Sequence, residues 1–307
     1  MSRKLIVGIG ELLWDLLHEG RQLGGAPANF TVMSARLGNH GVVASRIGAD
    51  ELGNAARLLL QTTPVDSTFL QTDAAYPTGS VSVTIEDGQP EYVIHEPAAW
   101  DFLELTPEWR TLAGSTDAVC FGTLAQRSER ARETIRSFVA STGESCVRVF
   151  DVNLRKPFFS ASVLQDSLRL ATLVKLNDAE MPQVLTLTGL SNETRTDEAA
   201  LLAGARLLLA AFPLRMVCVT MGAHGSLLVT PREHHRHHGI AAKVADTVGA
   251  GDAFTAALVC YYLQGAPLAV LNEAGNRWGS WVASQPGAMP PLPEETYQTI
   301  TRAIQSA

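Results

Sequence analysis

Short apolar runs recur along the chain and mostly alternate with stretches of helical period. Residues 5–9 and 11–17 predict strands. Phe30, Met33 and Leu37 then fall on one helical face; Pro27 suits the first turn of that helix and Gly38 its end. Residues 46–53 carry a strand end, a turn and a new helix. Over 76–94 the period changes to two: Ser80-Val81-Ser82-Val83-Thr84-Ile85, an Asp87-Gly88 turn, then Tyr92-Val93-Ile94. That predicts a β-hairpin. The alternation resumes with strands at 119–121, 147–150, 173–176 and 216–220 and helices at 128–141, 196–211 and 253–263. Such a rhythm predicts an α/β fold, a doubly wound and mostly parallel sheet flanked by helices. The hairpin breaks the rhythm. It is expected outside the main sheet, in a small β-sheet lid formed by about residues 11–24 and 76–100, with residues 1–307 making one domain.

Composition narrows the function. A formal net charge of −7 argues against a nucleic-acid or membrane-surface protein, because either partner needs a basic face. With 46% hydrophobic and 18% charged residues the chain is ordinary globular material. No apolar run is long enough to span a bilayer, and the apolar stretch in MSRKLIVGIGE is too short for a signal peptide. Cys120, Cys146, Cys218 and Cys260 sit in apolar surroundings without metal-like spacing, and are expected as reduced packing residues in a cytoplasmic protein.

The stretch Asp246-Thr247-Val248-Gly249-Ala250-Gly251-Asp252-Ala253-Phe254 concentrates the chemistry. Its glycines permit a tight turn, and a helix starting near Gly251 would aim unpaired amides and a positive dipole end into that turn. That is an anion site. Asp252 would repel an anion there unless it takes a proton, which a base acting on an attacking alcohol does. The bland alternative is an acid that merely favours a helix start. Asp15, an acid among large apolar residues, needs polar partners if buried, and a polyhydroxylated ligand supplies them. Gly24-Gly25 would let a ligand approach the backbone, and Asn29 could grip a hydroxyl or cap its own helix. Asp151, Asn177 and Thr220 fall at carboxyl ends of strands, where doubly wound sheets bind ligands. Gly8-Ile9-Gly10 lacks a third glycine and is a weak dinucleotide fingerprint. His234-His235-Arg236-His237-His238 invites a zinc reading. Alternate side chains of a strand face opposite ways, so a solvated edge strand is favoured. His18, His40 and His95 are given no role.

Two of these motifs together resemble the PfkB, or ribokinase-like, carbohydrate kinases: GGAPANF at 24–30 and DTVGAGDAF at 246–254. The resemblance implies the α/β core with a β-lid, and phosphorylation of a sugar hydroxymethyl group by ATP with Mg²⁺. It implies Asp252 as catalytic base and Gly249, Ala250 and Gly251 as anion hole. Asn177 and Glu180 would help position Mg²⁺ and phosphate. Thr220, Gly222 and Gly225 would form the nucleotide-side turn, and Asn276 would line the adenine pocket. Asp15, Gly25 and Asn29 would hold sugar hydroxyls, and Asp151, Asn153 and Arg155 match a segment found in several subfamilies. Asp246, Val248, Val282, Gln285 and Gly287 match a K⁺ site built mostly from carbonyls, with Pro291 where some members have serine. GELLWDLL, Thr78-Gly79, Ala99-Trp100-Asp101 and residues 121–125 are most similar to bacterial fructokinases. An acid at position 15 also suits a neutral polyol. The alternative acceptor, 2-keto-3-deoxygluconate, needs an arginine on its carboxylate, for which Arg155 and Arg127 are candidates. A basic residue near the glycine turn would add to transition-state stabilisation. A homodimer through the lid is expected, since the lid's apolar strand faces need cover. Two other classes compete: a non-catalytic relative, which should have lost the base or the glycines, and an oxidoreductase on Gly8-Ile9-Gly10.

Overall fold

The computed structural model describes residues 3–17, 20–86 and 89–306. Chain order begins β1 (Leu5–Ile9), β2 (Leu13–Leu17), β3 (Gly20–Gly24), α1 (Ala26–Arg36), β4 (His40–Gly48), α2 (Glu51–Gln61) and β5 (Leu70–Asp73). It continues through β6 (Gly79–Glu86), β7 (Gln89–Ile94), α3 (Pro107–Ser115), β8 (Ala118–Gly122), α4 (Glu129–Ala140), β9 (Val147–Asp151), α5 (Ala161–Leu170) and β10 (Leu173–Asn177). The last third holds α6 (Glu180–Thr188), α7 (Glu198–Ala211), β11 (Met216–Thr220), β12 (Ser226–Val229), β13 (His234–His237), α8 (Ala250–Tyr262), α9 (Leu268–Ala283) and α10 (Glu294–Gln305).

Nine strands form the main sheet in the order β13-β12-β11-β10-β9-β8-β1-β4-β5. All neighbours are parallel except β12 and β13, which add to one edge antiparallel. The expected α/β fold, doubly wound and mostly parallel, is therefore present. Strand side chains alternate between two layers. Val7, Val119, Val174 and Val217 pack with Phe138, Leu164 and Leu201. Ile6, Cys120, Leu173 and Cys218 pack on the other face with Phe30, Phe254, Leu258 and Trp278. The chain winds from β1 toward β5, then restarts at β8 on the far side of β1. The β1/β8 gap is thus the switch point where such sheets open a crevice.

The hairpin lies outside that sheet, as its period of two implied. It joins a four-stranded second sheet in the order β3-β2-β6-β7. The predicted strand at 11–17 starts at Leu13, because Glu11 and Leu12 are drawn into the core instead. The expected Asp87-Gly88 turn and His18 lie outside the described residues. The helix predicted to begin near Gly251 begins at Ala250, and that predicted from 196 begins after its N-cap Asp197. No helix among the described residues is long and apolar enough to cross a membrane. All four cysteines are buried and free, in keeping with packing residues.

Candidate active site

Two helices start above the carboxyl side of the main sheet: the first turn of α1 stands against Gly10 after β1, and that of α8 against Lys175 of β10. Helix α8 starts after Gly249, whose φ of 76° is left-handed. A Cβ there would lie 2.7 Å from Ala288, so both conformation and space require glycine. Helix α1 starts after Gly25, at φ 110°, where a Cβ would meet the Glu11 carbonyl oxygen at 2.4 Å. The two helices pack on each other and bring Asn29 to Asp252: Asn29 Nδ2 donates to Asp252 Oδ2 at 2.7 Å. Asp252 is 9% exposed. Burial pushes its carboxyl up to about 6, Asp151 adds to the rise, and Lys175, the Asn29 hydrogen bond and Arg155 oppose it.

Lys175 escaped the sequence reading, which asked only for some basic residue near the glycine turn. It sits in β10, buried, and its Nζ lies 3.2 Å from Asp151 Oδ1 and 3.3 Å from Oδ2. A Cβ on Gly251 would lie 3.0 Å from that Nζ, so the ammonium stands directly against the glycine turn. Asp151, Glu180 and Asp252 together outweigh burial and hold it firmly protonated. A lysine inside the apolar run of residues 173–176 was the available signal, since a charge at an inward strand position is rarely idle. Glu11 was missed too. It is buried beside Gly10, and it supplies the cap that Gly25 cannot, with Oε1 accepting the Ala26 amide at 3.2 Å.

At the carboxyl end of β10, Asn177 and Glu180 bind each other reciprocally. Glu180 N–H donates to Asn177 Oδ1 at 2.9 Å, and Asn177 N–H to Glu180 Oε2 at 2.8 Å. Glu180 Oε1 accepts the Leu154 amide at 2.7 Å. Both carboxylate oxygens are thus engaged by backbone. Burial, the largest influence, leaves Glu180 raised. Thr220 ends β11, and Gly222 and Gly225, at φ 53° and 86°, shape the turn after it. Asn276 is buried, and its Nδ2 is committed to Ser226 Oγ at 2.7 Å and to Asn272, which leaves only its carbonyl oxygen for a ligand. The histidine strand is an edge strand, but not the freely solvated one expected: His237 Nε2 lies 2.7 Å from Glu273 Oε2, and Asn272 Nδ2 donates to the His235 carbonyl at 2.9 Å. Helix α9 packs along that edge and takes up these side chains. Among the described residues no cluster of His, Cys, Asp and Glu could hold a metal.

Toward the second sheet, Asp15 is half-buried, raised chiefly by burial and also by Asp246, with Arg155 opposing. Gly24 leaves it room: a Cβ there would lie 3.0 Å from Asp15 Oδ2. Arg155 is exposed, on the loop after β9, yet its charge reaches Glu11, Asp15 and Asp252. Arg127 is engaged elsewhere. Its Nε donates to Asp101 Oδ1 at 2.8 Å and its Nη2 to Oδ2 at 2.7 Å, while the guanidinium lies 3.9 Å over Trp100 and 4.9 Å over Phe158. Asp246 ties the two halves of the candidate cation loop together, accepting from Val248 N–H at 2.9 Å and Gly287 N–H at 3.2 Å. Val282, in the last turn of α9, and Gln285, just past its end, flank Ala283, whose carbonyl accepts the Asp246 N–H.

A buried acid, a buried ammonium and a glycine turn at a helix start make a site for moving a proton beside an anion. The model of the pfkB family of carbohydrate kinases matches residues 13–295. The chain belongs to that family. It is an ATP-dependent carbohydrate kinase, and its relatives are similar along nearly their whole length. A fructokinase of Escherichia coli is 31% identical, over 95% of this chain and 97% of its own. A sugar kinase of Pyrococcus horikoshii solved in complex with ATP superposes with a TM-score of 0.82 at 26% identity, over 98% of this chain and 100% of that one. An aminoimidazole riboside kinase of Salmonella enterica, solved with its riboside and an ATP analogue, gives 0.78 at 25%, over 97% and 99%. This kinase therefore has relatives acting on more than one acceptor, and its own pocket must be read for the sugar.

Proposed function

We propose that this kinase phosphorylates fructose, with Asp252 as the general base. In the step, a sugar hydroxymethyl oxygen forms a bond to the γ-phosphorus of ATP. The bond from that phosphorus to the bridging oxygen breaks, and ADP leaves with the electron pair. The hydroxyl proton passes to Asp252. The Gly249–Gly251 amides and Lys175 Nζ meet the charge that spreads over the phosphoryl oxygens. The observation that carries this reading is Asp252 itself: an acid at a helix start, oriented by Asn29 and facing a lysine across the glycine turn.

Bound Mg²⁺ would supply positive charge beside the nucleotide's phosphates. The residues fit that role, because Mg²⁺ is usually held by phosphates and water with few protein ligands. Asn177 would hold that water shell, with Glu180 contributing charge from behind. Thr220, Gly222 and Gly225 would shape the nucleotide turn, with the Asn276 carbonyl oxygen at the adenine. K⁺ would sit on carbonyls of the loop that Asp246 braces, with Val248, Val282, Gln285 and Gly287 around it.

Fructose is favoured over a carboxylated sugar by charge. Asp15 and Asp252 would line the sugar side, with Gly25 and Asn29 beside them, and the charge of Asp246 reaches Asp15. Arg127 is already neutralised by Asp101, leaving Arg155 alone to answer a carboxylate. The second sheet would act as a lid that excludes water from ATP. Its exposed Leu17 and Val93 favour a homodimer through that sheet. The test is a panel of fructose, 2-keto-3-deoxygluconate, ribose and nucleosides, read as sugar-dependent ADP release. Fructose should give the highest kcat/KM; a higher value for any other acceptor removes the assignment. Sedimentation as a monomer at micromolar concentration would remove the dimer.

A further inference from the structure

Beside Asp252 lies a second buried carboxyl with an unmet hydrogen bond. Glu11 is 3% exposed. Its Oε1 accepts the Ala26 amide, the first of α1, and its Oε2 is buried with no donor among the described residues. One turn along the same helix, Asn29 is in a matching condition. Its Nδ2 donates to Asp252, and its Oδ1 is buried without a donor. Each buried acceptor left unmet carries the cost of its lost hydration. A single proton on Glu11, were it shared with Asn29, would relieve both.

We propose that Glu11 is a positioning residue that works as the neutral acid, its Oε2–H donating to Asn29 Oδ1 and so fixing Asn29 with its amide toward Asp252. Asn29 could otherwise turn over and present its oxygen to the Asp252 carboxylate. A donor on Oδ1 forbids that. The inference rests on Asp252 being the base, and it gives the two carboxyls opposite tasks. Asp252 must be ionised to accept a proton. Glu11 must stay neutral to hold Asn29, and as a neutral group it adds no second negative charge beside the base. Its surroundings agree. Burial pushes the Glu11 carboxyl up to about 7, with the Glu11 and Ala26 amides lowering it, Asp252 raising it and Arg155 lowering it. Asp151 and Lys175 act on Asp252 from behind.

Three variants and a pH profile test this. Glu11→Ala removes the donor and should lower kcat by about tenfold to a hundredfold, the scale of a slight misplacement at a reacting centre. Glu11→Gln offers Ala26 an oxygen and Asn29 an N–H, and it cannot ionise. It should rescue most of the lost turnover. In the wild type kcat should decline above about pH 7 as Glu11 ionises, and in Glu11→Gln that decline should vanish while the acid limb near pH 6 remains. If Glu11→Gln is as impaired as Glu11→Ala, or keeps the alkaline decline, the proposal is wrong. These readings stand even if Glu11→Ala fails to fold. Asp252→Asn separates the two ideas. An active Asp252→Asn overturns the base itself, whereas an inactive one together with an impaired Glu11→Gln overturns only the role given to Glu11.

Discussion

Two buried cation–carboxylate pairs stand at the carboxyl ends of neighbouring strands, and they are built for opposite purposes. Arg127 and Asp101 meet through two short bonds, 2.8 and 2.7 Å, with the guanidinium packed over Trp100 and Phe158. Asp101 also caps the Ala98 amide. The charges are spent on each other and on local structure. Lys175 and Asp151 meet at 3.2 and 3.3 Å, and Lys175 has no other hydrogen-bond partner among the described residues. Its ammonium keeps donors in hand and faces the turn where a phosphoryl group would arrive. A buried pair is weak evidence for stability, because desolvation offsets much of the attraction. What separates these two is how many donors remain and where they point.

The largest effect belongs to Asp252→Asn. The base should contribute about 10²–10⁴-fold to turnover, and the loss should appear in kcat with fructose binding kept. Stability should move the other way. The folded state raises this carboxyl from 3.8 to about 6, so it binds the proton more tightly than the unfolded chain does. The stabilisation from that proton is complete below about pH 4 and is lost as pH rises through 6. At pH 7 Asp252→Asn should therefore melt a few degrees higher than wild type, and at pH 4 the gap should close. An unchanged melting temperature at pH 7 would mean that the acid is not strained in place. Activity runs the opposite way: kcat/KM should fall as pH drops through about 6, because the base is then protonated.

Lys175→Met comes next, with a fall in kcat of about 10²–10³-fold, the scale of one lost transition-state donor. It also strands Asp151 as a buried lone charge, which costs about 3–5 kcal/mol. A double variant, Lys175→Met with Asp151→Asn, separates the two effects. Thermal melting should recover most of the lost stability, while turnover stays low. Recovery of turnover along with stability would reduce Lys175 to a structural role.

Glycine at 249 sets a smaller expectation. Gly249→Ala must hold a left-handed φ of 76° and displace Ala288. Strain of about 1–3 kcal/mol is expected in denaturant unfolding. KM for ATP should rise more than KM for fructose, because the turn lies on the phosphate side.

Much of this was legible in the chain, for reasons that are local. The alternation of strands and helices, the period-two hairpin and the glycine–acid turn each follow from neighbours in sequence. The strand-end positions of Asp151, Asn177 and Thr220 followed from the same rhythm. Glu11 was not legible, and Lys175 showed only as a charge in an apolar run, because their meaning comes from partners far along the chain. Lys175 needs Gly251 and Asp151, and Glu11 needs the start of α1 at Ala26. Arg127, one of two candidate carboxylate clamps in the sequence, is paired with Asp101, and that pairing was hidden for a similar reason: Asp101 lies on the far side of β8 in sequence. The histidine strand followed suit, since Glu273 and Asn272 arrive only when α9 folds back.

The smallest effect is the most discriminating. Arg127→Met combined with Asp101→Asn removes both charges, as Lys175→Met with Asp151→Asn does at the other pair. Asparagine can still accept the Ala98 amide, and methionine can still pack on Trp100 and Phe158, so beyond the ion pair the fold loses the Arg127 Nη2 bond to the exposed His95 carbonyl. Well-packed neutral replacements of buried pairs are often close to neutral in stability. If the Arg127–Asp101 charges are spent, kcat on fructose should change by less than about threefold, since no free charge is withdrawn from the pocket. A loss as large as that of the Lys175 and Asp151 double variant would mean that Arg127 serves the acceptor despite its partner. The charge argument for a neutral sugar would then fall with it.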